Sequence, residues 1–348
     1  MRQLKVKEWK GFHKGINLGG WFSQSPMKKE HFDSFITSAD LDVIAGWGLD
    51  HVRLPIDFEL VVDMSGNFKE SGFAYLKKAV DDCIERGLNV IINIHKADGY
   101  AFYELNQPES FFESEVLQEK FYELWEEIAR RFGSYNEKVA FELLSDVTSM
   151  TYSATWNSII KHSISRIRRY AKENVIMFGG CNYNSCASIP DLPDINDSAI
   201  AYTFHFNAPL VFTHQGAHWL KNMPEDFRYD YTHTYQEYYD KTVELLKRPT
   251  GFLEIDVDMG KTLDSEYYRQ RFENAVETAV RRDKYLYCGE YGVIKNADPY
   301  EACKWFRDVH EVFEEYGISR AAWTYKEMDF DISGEHFRPV IDEIVRNL

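Results

Sequence analysis

The chain has 348 residues, with 40 Lys and Arg against 56 Asp and Glu, a formal net charge of −16 and 44% hydrophobic residues. With 8 Trp, 22 Tyr and 24 Phe it holds apolar mass for a large core, which excludes a disordered chain or a disulfide-stapled miniprotein. The acidic balance and the lack of a long basic run speak against nucleic acid or an anionic membrane as partner, because both demand clustered cations.

At the N-terminus, MRQLKVKEWKGFHKG begins basic but has no apolar stretch behind it, so a cytoplasmic location is expected. Short apolar runs rich in β-branched and aromatic residues then alternate with segments at helical spacing. The run at 15–18 is followed by a predicted helix at 38–47, the run at 51–54 by one at 73–87, and the run at 89–95 by one at 117–132. Next come the run at 139–144 with a helix at 153–173, the run at 174–178, and the run at 199–206. Helices at 235–247 and 267–282, the run at 285–289, a helix at 298–316 and the run at 320–323 complete the chain. Gly87 and Gly317 sit where a left-handed residue closes a helix.

Repeated strand-then-helix units require parallel strands joined by right-handed crossovers. Eight of them predict an α/β fold, a (β/α)8 TIM barrel, as a single domain over residues 1–348. The aromatic connection at 208–234 is too long for a simple turn and predicts a lid or binding loop, with a rim excursion as the plainer reading. Five cysteines with no CxxC predict reduced thiols.

In such a barrel the chemistry gathers at the C-terminal strand ends. Those positions hold Asn17, Arg53, His95, Ser145, Asp146, His205, Glu290 and Trp323. Charges ending apolar runs must be paired, solvated or used. Asp146 and Glu290 form the kind of carboxylate pair that glycoside hydrolysis needs, one to protonate the leaving oxygen and one to attack or activate water. Arg53 beside Glu290 would keep that carboxylate ionised. His95 and His205 can donate to sugar hydroxyls, while Trp21 and Trp323 offer faces for pyranose stacking. Barrel and carboxylates alone leave a metalloenzyme open.

The segments GINLGGWF (15–22), HVRLP (51–55), GLNVIINIHKADGY (87–100), VAFELLSD (139–146), YTFHF (202–206), CGEYG (288–292) and AAWTY (321–325) resemble, in order, the motif series of glycoside hydrolase family 5, the cellulase and mannanase family. The resemblance implies a retaining barrel with Glu290 as nucleophile and Arg53, His95, His205 and Trp323 around the sugar. It also exposes departures. Where the family reads Leu-Asn-Glu-Pro, this chain has Leu144-Ser145-Asp146-Val147, placing an aspartate in the acid/base seat and Ser145 where an asparagine contacts the sugar. The strand 6 His-x-Tyr becomes His205-Phe206-Asn207, which loses the tyrosine that meets the nucleophile. An aspartate is one methylene shorter, so the carboxyl separation could shift toward inverting geometry, or turnover could be lost.

The expected function is a glycoside hydrolase acting on short β-linked glucosides or mannosides by double displacement, without cofactor or metal, with an oligosaccharide as substrate. The alternative is a catalytically impaired barrel that binds carbohydrate. His214 and His218 have metal-compatible i,i+4 spacing but lack a third ligand motif, and residues 256–260 are expected to form an acidic loop. Neither a GxSxG elbow nor a Gly-rich phosphate loop is present. The oligomeric state is left open.

Overall fold

The computed structural model describes residues 4–104, 109–247 and 255–348. Eight parallel strands close into a barrel in sequence order: β1 (Lys14–Asn17), β2 (His51–Asp57), β3 (Asn89–Lys96), β4 (Val139–Glu142), β5 (Ile176–Gly179), β6 (Ile200–Phe206), β7 (Tyr285–Tyr291) and β8 (Ser319–Ala322). Pairing of β1 with β8 completes the ring, and the single-domain (β/α)8 reading holds. Among the described residues seven longer helices pack outside it: α1 (Ser38–Gly46), α2 (Glu70–Ile84), α3 (Glu115–Phe132), α4 (Ser153–Ile167), α5 (Tyr235–Leu246), α6 (Ser265–Arg281) and α7 (Pro299–Tyr316).

Local chemistry sets the helix ends. Thr37 and Asp40 form a capping box at the start of α1, Asp298 caps α7 ahead of Pro299, and Gly317 closes α7 at φ 72°. The helix expected at 153–173 stops at Ile167. There the Arg168 guanidinium binds the carbonyls of Ala171, Asn174 and Ala199, so side-chain hydrogen bonds replace another helical turn and lead the chain into β5.

The barrel interior changes character from bottom to top. At the bottom, Trp9 and Phe12 of the N-terminal segment pack with Ile91, Ala140, Met177, Ala201, Tyr287 and Ala321 as a closed apolar plug. Above it, inward positions turn polar along several strands, as from Ile91 to Asn93 and His95, or from Ala201 to Thr203 and His205. His51 fits between the layers because Gly15 has no side chain. A Cβ there would lie 2.4 Å from the imidazole, which bonds Tyr287 Oη at 2.6 Å. The polar layer therefore opens at the strand C-termini, where the loops converge.

The 208–234 connection is a packed excursion. Gln215 holds it from both ends of its amide, donating to the Tyr229 carbonyl at 3.0 Å and accepting from the Tyr229 N–H at 2.9 Å. Trp305 of α7 anchors the segment through the Ala208 carbonyl. All five cysteines are buried and free. No described helix is long and apolar enough to cross a membrane.

Candidate active site

Arg53 is the hub of the polar layer. Completely buried on β2, it grips both oxygens of Glu142 on β4 through Nε and Nη2. Its Nη1 donates to Glu290 Oε1 at 2.7 Å and to Asn17 Oδ1 at 2.8 Å, and Nη2 reaches Ser145 Oγ at 3.2 Å. Burial opposes the guanidinium charge, but Glu142 and Glu290 outweigh it and the group stays ionised. Asn17 fastens the neighbouring strands by donating to the carbonyls of Gly289, Ala321 and Ala322. Glu142 is thus the buried partner of Arg53, deeper in the barrel than Asp146.

Glu290 reaches the mouth through a slip in register. Phe204 pairs with Cys288, but His205 pairs with Glu290, so β7 carries one extra residue, Gly289. Strict alternation from Tyr287 would send residue 290 outward; the bulge turns it toward His205. A Cβ on Gly289 would lie 2.9 Å from Thr203 Oγ1 and 3.0 Å from His205 Nε2, so the bulge requires glycine.

Asp146 follows β4 in left-handed backbone, at φ 50°, a conformation aspartate tolerates better than most residues. Its Oδ1 meets His205 Nδ1 at 2.9 Å, and the same nitrogen stands 3.7 Å from Glu290 Oε2. Oxygens of the two carboxylates lie within 4.8 Å of one another. Retaining pairs have carboxyl groups about 5–5.5 Å apart and inverting pairs about 6.5–9.5 Å, and a closest approach of this size is compatible with the retaining spacing. Burial alone would raise the Asp146 carboxyl, but His205 beside it holds it below the usual range. Burial likewise disfavours a charged His205, yet Asp146 and Glu290 lift the imidazole above its ordinary value. For Glu290, burial prevails over His205 and Arg53 and the carboxyl is raised.

A second group lines the β2–β3 side. His95 is buried, with Nδ1 on Asn93 Oδ1 at 3.0 Å and Nε2 on Gln24 Nε2 at 3.2 Å; burial and Arg53 push its pKa well down, so it stays neutral. Its ring stacks on Trp323 at 5.7 Å and 7°. Gln24 N–H and Tyr103 Oη both donate to Asp57, whose carboxyl burial pushes up to about 6.

The structure thus brings Arg53, His95, Ser145, Asp146, His205, Glu290 and Trp323 together around one mouth. Two expected members are engaged by other contacts. Trp21 does not offer an open stacking face: it is 6% exposed, its indole N–H is taken by the Phe32 carbonyl, and its ring lies on Phe22 at 4.1 Å. Asn207 faces the β7 exit, where its amide oxygen accepts from Gly292 N–H at 3.1 Å. Sequence reasoning passed over Gln24, Asp57, Asn93 and Tyr103. Asn93, two residues before His95 on the same strand face, was within reach of the alternation rule. Gln24 and Tyr103 come from loops and give no periodic signal.

Among the described residues, Asp146, His205 and Glu290 offer three metal-capable donor atoms within 4.8 Å. Arg53 already supplies positive charge to Glu290, and His205 already engages Asp146 Oδ1. His214 bonds the Thr213 hydroxyl at 3.0 Å, and burial pushes its pKa down to about 4.

The family model for cellulase (glycosyl hydrolase family 5) matches residues 11–329. Endoglucanase C of Acetivibrio thermocellus is 37% identical over 340 residues, covering 97% of this chain and 98% of its own. Cellodextrinase A of Ruminococcus flavefaciens is 38% identical over 316 residues, covering 89% and 84%. The crystal structure of endoglucanase Cel5A from the hyperthermophilic Thermotoga maritima superposes with a TM-score of 0.75 at 21% identity, covering 98% of each chain, and shares the fold.

Proposed function

The chain belongs to glycosyl hydrolase family 5 and is a glycosidase, and from that premise we propose that it hydrolyses short β-1,4-linked glucosides by double displacement, with mannosides as second candidates. The observation that carries this reading is the pair Asp146 and Glu290, with oxygens within 4.8 Å across the mouth. In this reading Glu290 attacks the anomeric carbon while the leaving oxygen takes a proton from the Asp146 side. Water, deprotonated by Asp146, then releases the sugar from Glu290. Arg53 orients Glu290, Ser145 lies beside the sugar, and the stacked His95 and Trp323 form the wall against which the pyranose rests. The names of two relatives, an endoglucanase and a cellodextrinase, support a glucan of the cellulose type.

The test is release of aryl alcohol from aryl β-glucoside, β-mannoside and β-cellobioside, with Glu290→Gln in parallel. Release on the cellobioside that vanishes in Glu290→Gln is expected. Aryl groups leave with little proton assistance, so they reveal the nucleophile even where the acid is weak. A folded chain silent on every glycone would sink this reading and leave a carbohydrate-binding barrel.

A further inference from the structure

Three buried carboxylates, Glu142, Glu290 and Asp146, share the site with one guanidinium, and Arg53 is spent on the first two. Among the described residues the Asp146 carboxylate has no Arg or Lys ion-pair partner; its hydrogen-bond contacts are the Ser145 hydroxyl at 3.4 Å and His205 at 2.9 Å. A buried carboxylate without a compensating charge is costly. His205 is the group placed to compensate it, and it lies between both carboxylates of the reacting pair.

We propose that the acid of this site is a two-residue unit, in which His205 holds the transferable proton at Nδ1 and Asp146 passes it to the departing oxygen. The inference rests on the glycosidase mechanism above. The proton moves from Nδ1 to the Asp146 carboxylate and on to the glycosidic oxygen as the C–O bond breaks, its electron pair staying with that oxygen. His205 is left neutral and Asp146 ionised. In the second half, attacking water gives its proton to Asp146, which returns it to His205, so the cycle closes without another reactant.

Every charged or titratable neighbour of the imidazole bears on this balance. Asp146 after β4 and Glu290 on β7 favour the imidazolium, whereas Arg53 on β2 opposes it; His95 on β3 is neutral. An imidazolium also needs an acceptor at Nε2. The Asn184 amide stands there, 3.4 Å away through its nitrogen, while its oxygen is buried without a hydrogen-bond partner. Turning that amide end over presents the oxygen to Nε2, so both ring nitrogens of the cation have acceptors.

The experiment compares kcat/KM across pH for the wild type, His205→Asn and His205→Gln on cellotetraose, 4-nitrophenyl β-cellobioside and 2,4-dinitrophenyl β-cellobioside. Cellotetraose needs full protonation of its leaving group and the dinitrophenyl glycoside almost none. We expect the variants to lose about 10²–10³-fold on cellotetraose, within the range general acid catalysis supplies, and less than about tenfold on the dinitrophenyl substrate. The alkaline limb on cellotetraose should disappear with His205. Equal losses on all three substrates would overturn the proposal in favour of a positioning role. Undiminished cellotetraose turnover with the alkaline limb moved to higher pH would overturn it too, because Asp146 would then carry its own proton. A wild type silent on all three substrates, or a Glu290→Gln chain that still releases dinitrophenol, would instead bring down the glycosidase mechanism and the proposal with it. Should the variants not fold, the wild type is decisive by ¹⁵N NMR of its histidines. An imidazolium at His205 that titrates with the alkaline limb is expected, and a neutral ring throughout the active range overturns the assignment.

Discussion

Arg53 shows why a single residue here cannot be assigned to catalysis or stability alone. Its guanidinium holds Glu142 below and Glu290 above, so Arg53→Met leaves two buried carboxylates uncompensated. Breaking one side of a buried ion pair costs about 3–5 kcal/mol, and we expect a loss of that order in urea unfolding. The double variant with Glu142→Met should recover part of it; no recovery would mean that Glu290 dominates the cost. Glu290 itself sets a pH expectation. Burial outweighs His205 and Arg53 and raises its carboxyl, while a nucleophile must be ionised. Activity on the dinitrophenyl cellobioside should therefore fall as the pH drops through a value above the ordinary glutamate range. A limb at or below that range would contradict the buried, shared-arginine geometry.

At the scale of elements, strand 7 carries the least predictable feature. Its bulge exists because Gly289 lets the strand close against Thr203 and His205, and one residue of slip is the difference between Glu290 in the mouth and Glu290 outside it. Gly289→Ala should push on the His205 ring. We expect overpacking of about 1–3 kcal/mol in thermal or urea unfolding, together with a kcat loss larger than this destabilisation implies at temperatures where the variant is folded. Wild-type kcat in the folded variant would show that the bulge does not position His205. Arg53, His95 and His205 stand out in the sequence as polar residues ending apolar runs, and β2, β3 and β6 keep their side-chain alternation up to these residues. Alternation alone does not place Glu290; its position at the end of a strand marks it, and the family resemblance gives it the nucleophile role. The segment at 208–234 was legible as an unusual connection from its length and aromatic content, but its Gln215–Tyr229 stitching is a local hydrogen-bond pattern with no periodic signature.

Across the whole molecule, the barrel is divided between a sealed bottom and a working top. Trp9 stacks on Phe12 at 4.5 Å and on Tyr285 at 5.4 Å, and plugs the bottom far from the reacting groups. Trp9→Ala should cost about 3–5 kcal/mol in urea unfolding, the usual scale for an aromatic removed from a core, while kcat per folded molecule stays at the wild-type value. A parallel fall in kcat would mean the plug transmits strain to the mouth. This division lies in the sequence of the strands, because inward faces such as those of β3 and β6 climb from apolar to polar toward their C-terminal ends.

The sequence by itself determined the order of strands and helices, the closure expected of eight such units and the residue types waiting at the strand ends, because periodicity and capping are written in local order. It also exposed the change to Ser145 and Asp146. Only the tertiary structure placed the changed residues against their partners. Whether a shortened carboxyl still faces its partner depends on the left-handed turn at Asp146, the bulge at Gly289 and the His205 ring between the carboxylates. Tertiary packing likewise engaged the Trp21 indole with Phe32 and Phe22 and the Asn207 amide with Gly292, and assigned Arg53 to Glu142 as well as Glu290. These are distances between residues far apart in the chain, and side-chain charge in a buried site responds to distance, which no one-dimensional pattern records.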